Sequence, residues 1–428
     1  MEPWLVASII ISSLLISLFT GVPIAFILTG LSCVLMLIFL GPGGLFMVIG
    51  QAYAQISGQI LMAIPLFIIM AVVFQHSGIA TQLFEAMHLW MGRLKGGLAI
   101  GTVIIGAIIA ALSGVGATGT ITMGLIAFPE MLKRKYNRPM VLGAITASGA
   151  LGGIIPPSVL MIIVGSYAQL SVGGLFLAGV IPGLLITFAF CLYIGIKCII
   201  NPEAGPPLPL KERGTLIEKL KATKYVILPV ALIFLIMGSI YTGVATPTEA
   251  AGLGALGAII IAIAQRKLTI TNIVDSSRAS FMATCMIMWL LIGGASYSAL
   301  ITVTGTGDLV SEILASLPFG ITGIVIAMLL ITLIFGMFID GIAITMICVP
   351  VFKPVVFQLG IDPFWFFVLF VIASVIGFIT PPFGVNLFYI KGVIPKDIPM
   401  SEIYKGSIPY IFNNVFCAYH IYFVSLVY

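Results

Sequence analysis

Residues 97–128 read GLAIGTVIIGAIIAALSGVGATGTITMGLIAF, and residues 319–350 read FGITGIVIAMLLITLIFGMFIDGIAITMICVP. Each run exceeds the roughly 20 apolar residues that carry a helix once across a ~30 Å hydrocarbon core, yet is short for two full crossings. A re-entrant hairpin, two half-helices that enter and leave on one side, fits both lengths. Small residues from Ser113 to Thr120 interrupt the first run, and Asp340 with Gly341 interrupts the second. The fold turns on where such breaks fall in an otherwise apolar chain.

The 428 residues are 61% hydrophobic and 8% charged, against about 25% charged in an ordinary soluble protein. That composition excludes a water-soluble fold and a disordered chain. Nineteen Lys and Arg against fourteen Asp and Glu leave a net charge of +5 without a long basic block, which excludes a nucleic-acid binder. A transmembrane barrel would alternate apolar and polar residues, whereas these runs are continuous. The remaining class is an all-α polytopic membrane protein. Cys33, Cys191, Cys198, Cys285, Cys348 and Cys417 show no CxxC or Cys/His spacing and read as packing residues. Met1 to Trp4 lacks a basic n-region, so the first apolar run reads as a retained span.

The apolar stretches fall at residues 4–20, 22–40, 57–76, 97–128, 139–165, 175–197, 225–240, 247–264, 281–300, 319–350, 362–389 and 407–428. If the two long ones are hairpins and the others cross once, ten spans result. The positive-inside rule tests that arrangement. Arg93, Lys95, Lys133, Arg134, Lys135, Arg138 and Lys197 then share a face with Lys211, Arg213, Lys219, Lys221 and Lys224. Arg266, Lys267, Arg278, Lys391, Lys396 and Lys405 join them, and only Lys353 lies on the other side. Both termini are placed in the periplasm.

This topology makes residues 1–200 and 225–428 inverted repeats, each with a hairpin (97–128 and 319–350) followed by a broken span (139–165 and 362–389). Gly152, Pro156 and Pro157 return as Gly377, Pro381 and Pro382 at one constant offset. An amphipathic stretch precedes each hairpin: Ile79, Leu83, Phe84 and Met87 in the first half, Leu309, Val310, Ile313 and Leu314 in the second. The polar stretch 201–224, with Pro202, Pro206, Pro207 and Pro209, reads as a cytoplasmic linker. Inverted repeats with interrupted helices are a transporter architecture that binds its cargo near the midplane.

Gly114, Gly116 and Gly119 form a GxGxxG, but the flanks are membrane helices and the next acid, Glu130, comes too early for a dinucleotide site. Small residues at a hairpin tip either leave backbone groups to a ligand or serve tight packing. Paired prolines in both broken spans remove N–H donors and free carbonyls upstream. Asp340 reads equally as an intramembrane functional acid or as the cap of a half-helix. Glu249 closes a capping box, Thr246-Pro-Thr-Glu249. His76, His88 and His420 lie at span ends or on an arm, which gives a proton relay little support. No Lys or Arg is placed at the midplane, so an anion there would be held by dipoles, hydroxyls and bound cations.

Thr146-Ala-Ser-Gly-Ala-Leu-Gly-Gly-Ile-Ile-Pro-Pro-Ser158, Gly360-Ile-Asp-Pro363 and Ile376-Gly-Phe-Ile-Thr-Pro-Pro-Phe-Gly-Val-Asn-Leu387, with Gly21-Val-Pro23 and Thr246-Pro-Thr-Glu-Ala250, resemble the large membrane (M) subunit of TRAP (tripartite ATP-independent periplasmic) transporters over essentially the whole chain. The resemblance implies an elevator mechanism in the bacterial inner membrane, driven by sodium, with no other cofactor. It implies a small membrane (Q) subunit and a periplasmic substrate-binding (P) protein that delivers a small organic anion, a carboxylate or sulfonate. Matching positions imply one sodium at Ser113 and Gly114 with Gly152, Ile155 and Ser158, and another at Gly336 with Gly377, Thr380 and Phe383. The substrate is expected between them, near Thr118, Ser148, Asp340 and Asn386. Many relatives carry Asn where this chain has Ala373, which removes any contact from that side chain. An enzyme is disfavoured because neither HExxH nor GxSxG is present. A scaffold subunit without its own substrate site would explain the arms but not the paired breaks.

Overall fold

The computed structural model describes residues 2–114, 116–209, 213–267, 269–316, 318 and 320–427. Lys211, placed above among the cytoplasmic basic residues, lies outside them. Over the described residues the chain is all-helical, without a strand. The first half runs α1 (Pro3–Leu18), α2 (Ile24–Leu40), α3 (Pro42–Ser57), α4 (Ala63–His76), α5 (Ile79–Met91), α6 (Gly97–Ser113), α7 (Gly116–Lys133), α8 (Arg138–Ala150), α9 (Val159–Ala168) and α10 (Val172–Ile200). The second runs α11 (Leu216–Tyr241), α12 (Pro247–Ala264), α13 (Ile270–Val303), α14 (Thr306–Ala315), α15 (Gly320–Phe338), α16 (Gly341–Gln358), α17 (Pro363–Phe378), α18 (Val385–Val393) and α19 (Met400–Val427). Among the described residues, six helices are long and apolar enough to cross a membrane, or seven with α3 and the segment 60–76 counted as one span bent by 60°.

Several boundaries differ from the sequence reading: α13 starts at Ile270 rather than near 281 and α19 at Met400 rather than near 407, and three further differences bear on the topology. Residues 42–57 were left between apolar stretches because glycines, glutamines and Ser57 dilute them, yet they form α3. Its exposed Phe46, Ile49, Tyr53 and Ile56 recur at helical spacing, and only Gly44 and Val48 are buried. Next, α7 continues to Lys133 and α16 to Gln358. Each long stretch thus becomes two helices of 17 to 19 residues. At 1.5 Å per residue these reach roughly 26–29 Å, so length no longer argues for re-entry. Finally, α11 takes in residues 216–224 of the expected linker, because Thr215 and Glu218 close a capping box at its start. The anticipated box at Thr246 and Glu249 is also present.

Helix contacts outline two groups that also pack against each other, α13 on α16 and α4 on α6. In one, α13 packs on α2, α3 and α4, while α12 joins α4 to α11. In the other, α8 lies between α6, α7 and α19, α15 lies on α17, α16 on α9, and α10 on α17 and α19. We call the first the frame and the second the block; α5 touches both α6 and α11. The most enclosed helices are the first halves of the broken spans. Every residue of α8 from Met140 to Ala150 is buried, as is every residue of α17 from Phe366 to Phe378. Both lack a polar face, and a helix apolar all round is stable only when surrounded.

Candidate ion and substrate site

At the first junction, Gly114 ends α6 in the left-handed conformation, φ 62°, with its N–H on the Ala110 carbonyl at 2.8 Å. That turn presents the Gly114 carbonyl to the break in the first broken span, where it accepts the Val159 N–H at 3.1 Å. A Cβ at Gly114 would lie 2.9 Å from the Val159 nitrogen and 3.2 Å from the Pro157 carbonyl oxygen, so the approach is backbone on backbone. Ser158 caps α9: its Oγ accepts from the Met161 N–H at 3.3 Å and donates to the Gly153 carbonyl at 2.7 Å. Gly152 lies in a 3-10 turn at residues 151–153, and the Ile155 N–H bonds the Leu151 carbonyl at 2.8 Å. The Ser113 hydroxyl donates to the Ala110 carbonyl at 3.2 Å. Gly114 thus meets the 157–159 segment directly, with Ser113 beside it in the chain, and Gly152 and Ile155 belong to the same unwound stretch.

The second junction is closer still. A Cβ on Gly377 would stand 2.6 Å from the Gly336 Cα, and one on Gly336 would stand 3.0 Å from the Gly377 Cα. The Thr380 N–H bonds the Gly377 carbonyl at 3.0 Å, its hydroxyl donates to Ile376 at 2.6 Å, and its carbonyl accepts from Gly384 at 3.1 Å. Phe383 packs its ring 5.0 Å from Phe338. Gly336, Gly377, Thr380 and Phe383 are therefore neighbours. Both proline pairs, Pro156-Pro157 and Pro381-Pro382, are joined by cis peptides.

Asp340 is the cap of α16: its Oδ1 accepts from the Ile342 N–H at 2.8 Å and the Ala343 N–H at 3.2 Å. Of the two sequence readings of this acid, the cap geometry is the one present. Asn386 is buried and donates from Nδ2 to the Thr146 carbonyl of α8 at 3.3 Å. The same Nδ2 is 3.7 Å from where a Cβ on Gly116 would stand, so Asn386 carries the second broken span to the tip of the first hairpin.

Of Thr118, Ser148, Asp340 and Asn386, Thr118 alone lines a small cavity at the first hairpin. Ser148 bonds the Ile145 carbonyl at 3.1 Å and presses on Gly106 of α6. Thr118 shares that cavity with Ser113 and Thr122 of the first hairpin and with Phe74, Gln75 and Leu83 of α4 and α5. Gln75, Thr122 and Tyr404 escaped the sequence reading, and Thr120 entered it only as the end of the small-residue stretch. The Oγ1 atoms of Thr120 and Thr122 are buried and have no hydrogen-bond partner, and the Tyr404 hydroxyl donates to the Pro382 carbonyl at 2.6 Å. Threonines in an apolar helix that do not bond back to their own turn are the one signal that could have marked the first pair.

Comparison with known proteins was made on this footing. The family profile described as tripartite ATP-independent periplasmic transporter, DctM component, matches residues 11–426. The chain is 30% identical to the ectoine TRAP transporter large permease protein TeaC of Halomonas elongata, over 89% of this chain and 88% of that protein. It is also 30% identical to the isethionate TRAP transporter permease protein DctMQ of Oleidesulfovibrio alaskensis, over 92% of this chain and 61% of that one. The crystal structure of the YdaH transporter of Alcanivorax borkumensis superposes with a TM-score of 0.61 at 13% identity, covering 92% of this chain and 94% of its own. At that identity the likeness speaks for the fold alone.

Proposed function

The chain belongs to the DctM component family of tripartite ATP-independent periplasmic transporters, and from that premise we propose that it imports a small organic anion, a carboxylate or sulfonate, together with sodium. It is a membrane permease subunit, not an enzyme. The observation that carries the reading is the pair of close backbone approaches: Gly114, at the end of α6, on the unwound stretch before α9, and Gly336 of α15 on Gly377 in the last turn of α17, just before its break. Unwound carbonyls suit sodium, which takes oxygen ligands, and half-helix N-termini suit an anion. In this reading one sodium lies at Ser113, Gly114, Gly152, Ile155 and Ser158, and the other at Gly336, Gly377, Thr380 and Phe383.

The anion is assigned to the start of α7, beside Thr118 and Asn386, where the first turn carries no acidic residue. Thr120 and Thr122, buried and unpartnered, supply further hydroxyls on the same helix. Asp340 then acts through the α16 cap, and Ser148 through its packing on Gly106. Residues 1–200 and 225–428 act as inverted repeats joined by the 201–224 linker, in the inner membrane with both termini periplasmic. The block moves against the frame as an elevator. A small membrane subunit and a periplasmic binding protein complete the transporter; the relative named DctMQ extends well beyond the length this chain covers. Relatives named for ectoine and for isethionate match at the same identity, so the cargo here is given by class.

The test is uptake of labelled organic acids into liposomes holding the chain with both partners, under an imposed sodium gradient. Cysteine substitution at Ser113 or Thr380 is expected to abolish sodium-dependent uptake while assembly survives. Uptake that persists in both variants contradicts the assignment.

A further inference from the structure

The proline-rich segment after α10 is docked rather than free. The Ala204 carbonyl accepts the Asn137 N–H at 2.9 Å, at the start of α8, and the Gly205 carbonyl accepts the Gly96 N–H at 2.8 Å, at the start of α6. Three residues on, the Leu208 N–H donates to the Gly92 carbonyl at 2.8 Å, at the end of α5. Ala204 and Leu208 are buried, 4% and 1% exposed, in a stretch whose composition reads as a solvated linker.

The two ends of this strap hold different groups of helices. Its 204–205 end grips α6 and α8 of the block. A Cβ on Gly205 would stand 2.8 Å from the Gly96 Cα and 2.7 Å from the Cys198 Sγ, so only glycine allows the two chains to cross there. Its Leu208 end sits on α5 where that helix is fixed to the frame: the Trp90 Nε1–H donates to the Thr223 hydroxyl at 3.0 Å and the Lys219 carbonyl at 3.3 Å, both on α11. The side chain of Leu208 fills the place a Cβ on Gly92 would take, 2.2 Å from its Cδ1. Pro206 and Pro207 lie between the ends and favour an extended rod of about 3.1 Å per residue, roughly 9 Å in all.

We propose that residues 204–208 form a latch across the turn 92–96, holding the block against the frame in the arrangement described here, and that its Leu208 end releases when the block moves. This rests on the elevator reading above. A rod of that length cannot keep both anchors once block and frame separate by more than a few ångströms. The block end is anchored by two backbone bonds and a glycine crossing, whereas the frame end is anchored to α5 by one backbone bond and one leucine; the Arg213 Nε–H bond to the Leu208 carbonyl at 2.8 Å comes from the same connection and can leave with it, so the frame end yields first. Release also supplies chain: three freed residues add up to roughly 10 Å of reach to the connection between α10 and α11.

The test uses the full transporter in lipid nanodiscs, spin-labelled at Lys133→Cys on the block and Lys221→Cys on the frame, with Cys33, Cys191 and Cys285 replaced. Distances are measured by double electron–electron resonance with and without sodium. Two distance populations are expected, and Leu208→Ala should raise the one absent from this structure several-fold. Gly92→Val, which evicts Leu208 without altering the strap, should do the same if the first variant fails to fold. Two populations in unchanged ratio in both variants overturn the latch and leave the elevator reading standing. A single unchanged distance in every sample overturns both.

Discussion

The two hairpin tips share a layout and differ in charge. At the first, α7 begins at Gly116 with no acid in its opening turn, and the nearby polar groups are Thr118, Thr120 and the Asn386 amide. At the second, α16 begins behind Asp340, whose carboxylate already occupies the N–H groups of Ile342 and Ala343. The positive end of α16 is thus neutralised from within, whereas the described first turn of α7 carries no acidic residue. The broken spans follow suit: α9 is capped by the neutral Ser158, and α18 by Gly384 without a side-chain bond. Similar layout at the two tips does not mean equal duties, and the proposed function gives the anion to the first.

The largest effect expected from breaking this comparison is at the closest contact. Gly377→Leu would place side-chain carbon where the Gly336 Cα stands; it should cost about 1–3 kcal/mol or more and abolish uptake, read by thermal melting and transport assays. Thr118→Val removes a hydroxyl beside the α7 start at nearly constant volume. Uptake efficiency should fall about tenfold, the worth of one hydrogen bond of about 1.4 kcal/mol, with melting unchanged. Asp340 gives the contrast: Asp340→Asn preserves an acceptor at the cap and should keep uptake within about twofold, whereas Asp340→Ala should lose about 1 kcal/mol of stability. Strong loss of uptake in Asp340→Asn alone would move the charge into the transport step.

The smallest effect lies outside the bilayer. Burial pushes the Glu130 carboxyl up, but its hydrogen bond to Arg134 and the charges of Arg134, Lys133 and His88 outweigh that and hold it below the usual carboxylate range. A carboxyl depressed in the folded state stabilises above its unfolded pKa, and that contribution disappears as pH falls through the folded value. Glu130→Gln should therefore cost a few tenths of a kcal/mol near neutral pH, because the Arg134 pair at 2.9 Å is partly exposed. The difference from wild type should vanish in acid, as urea titrations at several pH values would show.

The helical class and the chain breaks at 113–116, 151–158, 339–340 and 379–384 were legible because apolar runs, glycines and Pro-Pro pairs are local signals. The α3 helix was not, since its apolar face is interleaved with glycines and glutamines and is turned outward rather than into the protein. The family resemblance pairs Ser113 and Gly114 with the segment of Gly152, Ile155 and Ser158, and the Gly114–Val159 bond brings the end of α6 to it. The reach of Asn386 to Thr146, 240 residues away in sequence, and of Tyr404 to Pro382 was not legible. Those contacts depend on how α18 and α19 fold back on the block, which no spacing records. The docking of Leu208 was hidden for a related reason: proline-rich polar sequence signals a linker, and only the glycines at 92 and 96 make room for it.

The most direct measurement follows labelled acid and radioactive sodium together into liposomes containing the complete three-part transporter. The account predicts that both enter in a fixed ratio, that dissipating the sodium gradient stops the acid, and that Thr380→Cys lowers both in step. Acid accumulation at full rate with no sodium entry would contradict it.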